Sequence, residues 1–132
     1  MAHAARPFLM FSGRAEEALQ FYAATFRDCT ITQIEHYGAG DSGAEGSVKR
    51  ARLQLAGLDI MFFDSPVPHA FSFTPAVSFF ISCEDEAELD DLFARVGADG
   101  RVLMPPDNYG FSRKFTWVED RFGVSWQFDL AT

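Results

Sequence analysis

The sequence predicts an α+β fold in which two βαβββ units, each with a curved mixed sheet, form a cup. Each half of the chain has one segment of helical period, preceded by one segment of strand period and followed by three. The apolar phase also repeats, because Ala18 and Tyr22 align with Leu89 and Phe93 when the halves are superimposed. One such unit leaves a sheet face uncovered, so two units are expected to curve around a shared cup.

The first unit is predicted at about residues 6–64. A short apolar run from Pro7 to Phe11 indicates a buried strand. Apolar residues at steps of three and four indicate a helix, which Ser12 or Gly13 is expected to cap. Three further segments alternate or are rich in β-branched and apolar residues and are predicted as strands: Thr30–Tyr37, Val48–Leu55 and Leu58–Phe63.

A linker at residues 65–75, rich in proline, separates the halves, and the second unit is predicted at about residues 76–130. Its helix is expected to begin after Ser82 and to end at Gly97. The predicted strands are Ala76–Ile81, Arg101–Met104, Lys114–Val118 and Gly123–Leu130. Because the units share a core in this scheme, residues 1–132 are predicted to be a single domain.

Composition narrows the class of protein. Apolar residues make up 48% of the 132 residues, which excludes general disorder. The net charge of -8 argues against nucleic acid as a partner, and no apolar run is long enough to span a membrane. Only Cys29 and Cys83 are present, and no secretory signal pattern opens the chain, so we predict a cytoplasmic protein with reduced thiols. Cys83, at a predicted helix start, is a candidate for a lowered pKa.

Three segments resemble one family. They are Ser12–Tyr22 (SGRAEEALQFY), Pro68–Thr74 (PHAFSFT) and Trp117–Gln127 (WVEDRFGVSWQ). The chain resembles the PhnB-like proteins, often described as demethylubiquinone methyltransferase-like, over nearly its whole length. These proteins belong to the vicinal oxygen chelate superfamily, with glyoxalase I, the bleomycin resistance proteins and the extradiol dioxygenases. The resemblance implies a glyoxalase/bleomycin resistance/dioxygenase fold and a homodimer.

Superfamily enzymes hold a metal ion with His, Gln or Glu from four strands. The resemblance carries those positions to Pro7, Met61 (or Phe62 if the register slips by one), Val77 and Gln127. Proline, methionine and valine offer no imidazole or carboxylate, and one glutamine is not enough to hold a divalent ion. We therefore predict no metal and no cofactor.

The strand positions expected to face the cup are mostly apolar, which predicts a binding site for a small apolar or aromatic molecule. If Gln127 faces the cup, strand alternation places Trp126 under a helix. We assign the following residues to the ligand-binding cup: Leu9, Phe11, Arg50, Met61, Phe63, His69, Phe79 and Gln127. A cup filled by its own side chains fits the same pattern.

Polar candidates are few. His69, in the linker, is either a hydrogen-bond donor or general base for a ligand, or a linker histidine tied to a backbone carbonyl. Arg50 and Arg52 share one strand face and either clamp a carboxylate or phosphonate or form a solvated face. Residues 38–43 spell GxGxxG but lead into a strand, so a hairpin loop is predicted there, not a nucleotide or methyl-donor site.

These observations predict a metal-free binding protein of unknown activity. The first alternative is an enzyme of the superfamily, of lyase, isomerase, transferase or dioxygenase type, that uses non-metal residues such as His69. The second is a partner-binding protein with a filled cup.

Overall fold

A computed structural model describes residues 1–131 and confirms the predicted α+β fold. The chain divides into two compact units, one spanning Met1–Ser72 and the other beginning at Phe73. The elements of the first unit are β1 (Phe8–Phe11), α1 (Ala15–Thr25), β2 (Cys29–His36), β3 (Val48–Leu55) and β4 (Leu58–Asp64). Those of the second are β5 (Ser78–Ser82), α2 (Glu86–Val96), β6 (Arg101–Asp107), β7 (Lys114–Glu119) and β8 (Ser125–Leu130).

Both units have the same mixed sheet. The strand order is β1-β4-β3-β2 in the first unit and β5-β8-β7-β6 in the second. The first strand of each unit pairs in parallel with the last one, and the other neighbours are antiparallel. One helix packs on one face of each sheet. We call this the helix face and the opposite one the open face.

The helix faces hold the apolar cores. In the first unit the buried side of α1, which includes Leu19 and Tyr22, packs near Leu53 and Phe62 of the sheet. In the second unit Leu89 and Leu92 of α2 are buried on the helix side of the sheet, as is Trp126. Alternation along β8 had predicted this position of Trp126.

The helix starts differ from the prediction. Neither Ser12 nor Gly13 caps α1, because its N-cap position is Arg14, which makes no side-chain cap bond. The cap comes from Asp64, which the parallel pairing of β1 with β4 brings to this end of the sheet. Asp64 Oδ1 accepts from the backbone N–H groups of Gly13 at 2.8 Å and Ala15 at 3.0 Å.

The start of α2 also lies later than predicted. Ser82 is still part of β5, and the N-cap is Asp85, whose side chain accepts from the backbone N–H of Glu88 at 2.8 Å. A second difference is that β6 continues to Asp107 through two prolines. Proline is tolerated there because β6 is an edge strand with an irregular register.

Candidate functional site

The open face of the first sheet carries a mixed apolar and charged surface. Across the sheet, Phe8 pairs with Met61, and Met61 with Arg52. In the next row Met10 pairs with Phe63. The rings of Phe8 and Phe63 lie 4.7 Å apart between centroids, so the two apolar rows form one patch beside the arginine-bearing strand β3.

One carboxylate holds two of the cations on this face. Asp59 Oδ1 accepts from Arg52 Nε at 3.2 Å, and its Oδ2 accepts from Arg52 Nη2 and from Arg6 Nε, the latter at 2.7 Å. The hydrogen bond from Arg52, then that from Arg6, lowers the pKa of Asp59 to about 2. Arg50 is exposed on this face and makes no hydrogen bond or ion pair within residues 1–131.

The open face of the second sheet is aromatic and hydroxylic. Phe80 pairs with Gln127, and Gln127 with Trp117. Trp117 Nε1 donates to Ser125 Oγ at 2.8 Å, and Ser125 Oγ lies 2.6 Å from Ser78 Oγ. The Gln127 amide, half-buried beside this network, has no hydrogen-bond partner in the part of the chain that the structure describes.

An aromatic cluster extends this face. Phe115 is buried, and the rings of Phe111, Tyr109 and Phe80 lie 4.9, 6.1 and 6.4 Å from its centroid. Phe80 and Phe111 are 57% and 60% exposed, which is high for adjacent large apolar side chains. An exposed apolar patch of this kind is typical of a ligand or partner surface.

Four of the residues predicted to line the cup, Arg50, Met61, Phe63 and Gln127, lie on the open faces. Leu9, Phe11 and Phe79 do not, and their predicted placement was wrong. Their register partners are Phe62, Asp64 and Trp126, which are buried on the helix faces.

The error is a shift of one residue in two strands. The ring of Phe11 stacks on Phe62 at 5.5 Å, and the ring of Phe79 lies 5.0 Å from that of Trp126. The resemblance puts Pro7, Leu9 and Phe11 on the cup side of β1, but the face that a strand residue takes follows from the pairing of β1 with β4.

The register also changes the neighbours of Met61 and Gln127. The residue beside Met61 on the open face of the first sheet is Phe8, one position after Pro7, and the residue beside Gln127 on the second is Phe80, three positions after Val77, which lies before β5. Neither pair of side chains fits a divalent cation. Within residues 1–131 no group of three or more His, Cys, Asp or Glu side chains could hold a metal ion.

His69 lies in the linker, within the first unit. Its Nε2 is 3.0 Å from Ser65 Oγ, and its ring is 4.8 Å from that of Phe71. It lines a cavity of about 350 Å³ within the first unit, together with Ser12, Ser65 and the buried Asp64. The linker-histidine alternative therefore fits in position, but the side-chain partner is a hydroxyl and not a backbone carbonyl.

The GxGxxG segment and the two cysteines do not form a functional site within residues 1–131. Residues 38–43 form a loop that leads into β3, as predicted, so no helix N-terminus faces the glycines. Burial raises the pKa of Cys29 to about 11 and that of Cys83 to about 12, with smaller contributions from Asp28 and Glu88 respectively. The expectation of a lowered pKa for Cys83 was wrong, because desolvation outweighs any effect of the nearby helix start.

Sequence reasoning missed the structural roles of two buried aspartates. Asp64 also accepts from the backbone N–H of Val48, at 2.8 Å, which gives it three donors in all. Asp120 accepts from the backbone N–H groups of Phe122 and Val124, at 2.9 and 3.0 Å, and from Trp126 Nε1 at 2.9 Å. The sequence did carry a signal for each structural role. Asp64 is a lone carboxylate at the end of an apolar strand, and Asp120 comes just before the FGVSW segment.

Comparisons with known proteins agree with this architecture. The model of the family described as "3-demethylubiquinone-9 3-methyltransferase" matches residues 3–129. A solved structure from Bacillus cereus, titled as a putative 3-demethylubiquinone-9 3-methyltransferase and PhnB protein, is 45% identical. It covers 98% of this chain and 100% of its own, with a TM-score of 0.93.

More distant matches also extend over nearly the whole chain. Protein YjdN of Escherichia coli is 22% identical over 95% of this chain and 93% of its own length. A glyoxylase/bleomycin resistance protein/dioxygenase domain from Frankia is 16% identical, with a TM-score of 0.68 over 100% of this chain and 93% of its own.

Within residues 1–131 neither helix is long and apolar enough to cross a membrane.

Proposed function

This chain belongs to the 3-demethylubiquinone-9 3-methyltransferase family of PhnB-like proteins, and from that premise we propose that it binds a small apolar or aromatic molecule on its open sheet faces without a resident metal ion. The observation that carries the proposal is the pair of rows Phe8–Met61 and Phe80–Gln127. These four side chains offer rings, a thioether and one amide, and none of them is an imidazole or a carboxylate. Binding by ring contact and one amide replaces binding by coordination.

The chemistry of both faces supports this proposal. Each has rings that offer stacking area, with Phe8 and Phe63 on the first sheet and Phe80 and Phe111 on the second. Each also has a polar group to orient a ligand, Arg50 on the first and the Gln127 amide on the second. Apolar surface with few convergent polar groups is the usual make-up of a small-molecule site.

A neutral aromatic probe, 2-naphthylmethanol, tests the proposal on protein labelled with carbon-13 at the methionine methyl groups. Met10 and Met61 report on the first open face and Met104 on the second, while Met1 is an exposed terminal reference. We expect saturable shifts of at least one open-face methyl and none of Met1. Phe63→Ala or Phe80→Ala should weaken binding, and Phe71→Ala, a linker variant, should not. Absence of any saturable shift at the solubility limit would contradict the proposal.

The second candidate function is an enzyme that uses non-metal residues. It is favoured by one observation, the contact of His69 with Ser65 at the edge of a cavity. If the molecule is bound in this cavity, His69→Ala should abolish the shifts produced by 2-naphthylmethanol. Binding on the open faces predicts no effect of this variant. For methyl transfer, S-adenosylmethionine is the corresponding probe, and we expect no binding because no nucleotide loop opens a helix.

We further infer a cytoplasmic homodimer that binds no nucleic acid. The resemblance to the PhnB-like proteins supports the homodimer, and the net charge of -8 disfavours phosphate backbones. The unpaired thiols of Cys29 and Cys83 suit a reducing compartment. Light scattering during gel filtration should give twice the chain mass of 14.7 kDa, and a mass of one chain would contradict the dimer.

A further inference from the structure

We propose that the molecule bound on the first open face is an organic monoanion, a carboxylate with an apolar or aromatic body, whose carboxylate is held by Arg50. This inference rests on the proposed function and names its ligand class. The apolar body lies on Met61 and Phe63, and the guanidinium of Arg50 takes the charge. Charge and apolar surface lie side by side on the same face.

The first step is that Arg50 is the cation left over on this face. Arg52 and Arg6 are both bound to Asp59, so their charge is largely offset within the protein. Glu35 is the register partner of Arg50, but its Oε1 accepts from Gln33 Nε2 at 3.0 Å, and it forms no ion pair with Arg50. Arg50 therefore has its guanidinium available.

The second step is the placement of Arg50 next to apolar surface. Ala51 pairs with Phe62 across the β3–β4 ladder, so Arg50 is adjacent to the Phe63 position on the open face. Phe63 in turn contacts the ring of Phe8. A ligand whose ring covers Phe63 brings a carboxylate on that ring within reach of Arg50.

The third step is chemical selectivity. A guanidinium presents paired N–H donors that match the two oxygens of a carboxylate, and charge-assisted bonds beside apolar surface are stronger than those in bulk water. A single arginine suits one negative charge. The protein has a net charge of -8, so an anion is repelled elsewhere and needs this local cation.

The experiment compares 2-naphthoate with 2-naphthylmethanol, which share a ring system and differ in charge. Titrations use the methionine-methyl spectra of the full chain at low salt. We expect 2-naphthoate to bind about tenfold or more tightly than the alcohol, with shifts at Met10 and Met61. Arg50→Gln should remove this preference, so that 2-naphthoate binds no more tightly than 2-naphthylmethanol. Arg95→Gln, which removes one positive charge from α2, should keep the preference.

The outcomes separate this inference from the proposed function. If neither probe produces a saturable shift, the proposed function fails. If both bind equally well to the unmodified protein, or Arg50→Gln keeps the preference, only the assignment of an anion to Arg50 is overturned. It is also overturned if 2-naphthoate shifts Met104 while Met10 and Met61 stay unchanged.

Discussion

The two units share one topology, but each is stabilised internally by a buried aspartate, and the two aspartates differ in how far along the chain their hydrogen-bond donors lie. In the first unit Asp64 joins segments far apart in sequence, the start of α1 and the start of β3. In the second, Asp120 closes a local hairpin through donors at most six residues away. The same topology can thus be stabilised by a carboxylate that binds donors distant in sequence or by one that binds nearby donors.

The family resemblance reveals the fold better than the activity, because one of the segments that carry it consists largely of residues that stabilise a hairpin. The segment Trp117–Gln127 includes Asp120, the Trp126 indole that it binds and Gly123, which adopts φ +89° in the turn. These residues stabilise a hairpin. The surfaces proposed to bind ligand differ between the units, with arginines on the first open face and hydroxyl and aromatic groups on the second.

The largest effect is expected for Asp64→Ala. It leaves the N–H groups of Gly13, Ala15 and Val48 without their acceptor inside the first unit, so the free energy of unfolding should fall by about 3 kcal/mol or more. Asp85→Ala removes a single local cap on α2 and should cost about 1 kcal/mol. Urea denaturation followed by circular dichroism measures both. Equal losses would show that Asp64, with three donors, stabilises the fold no more than the single-donor cap Asp85.

The next effect separates two tryptophans on opposite faces of the second sheet. Trp126→Phe removes the hydrogen bond from the buried indole to Asp120 Oδ2 and should cost about 2 kcal/mol. Trp117→Phe removes a half-buried bond to Ser125 and should cost roughly 1 kcal/mol or less. If the order is reversed in urea denaturation, the stability of the hairpin does not depend on Trp126.

Sequence patterns were sufficient for the elements and their order, because period and turn residues are local properties. They did not reveal the α1 cap, because Asp64 lies far from the helix it serves. The face of β1 was also missed, because this strand has only four residues and its orientation follows from its parallel pairing with β4, which the sequence does not reveal. Met61 and Gln127 were placed on the open faces, but pairing with Phe8 and Phe80 became visible only with the sheet register.

A smaller effect concerns the charges of the first open face. The pKa of Asp59 is lowered to about 2, so its ion pairs contribute to stability above its ordinary pKa near 4. This contribution is lost as the pH falls from there towards 2. Carboxyl-carbon NMR should show that Arg52→Gln raises the pKa of Asp59, while Arg95→Gln does not. An unchanged pKa in Arg52→Gln would remove Arg52 as the main cause.

The smallest difference between the two units is expected for the reactivity of their thiols, Cys29 in the first and Cys83 in the second. Burial keeps both cysteines protonated, with pKa values of about 11 for Cys29 and about 12 for Cys83. At neutral pH the folded protein should react with a thiol reagent far more slowly than the urea-unfolded chain, and Cys83 should be the slower of the two. Mass spectrometry of the labelled chain measures the order. Rapid labelling of Cys83 in the folded protein would contradict its burial.

Metal binding tests the central claim most directly. The protein is incubated with Mn²⁺, Ni²⁺ or Zn²⁺ and dialysed, and its metal content is measured by mass spectrometry, with Gln127→Ala as the matched variant. We predict far less than one equivalent of each ion in both proteins, because the row Phe8–Met61 offers no oxygen or imidazole donor and the row Phe80–Gln127 offers one amide oxygen. One retained equivalent that Gln127→Ala loses would contradict the account.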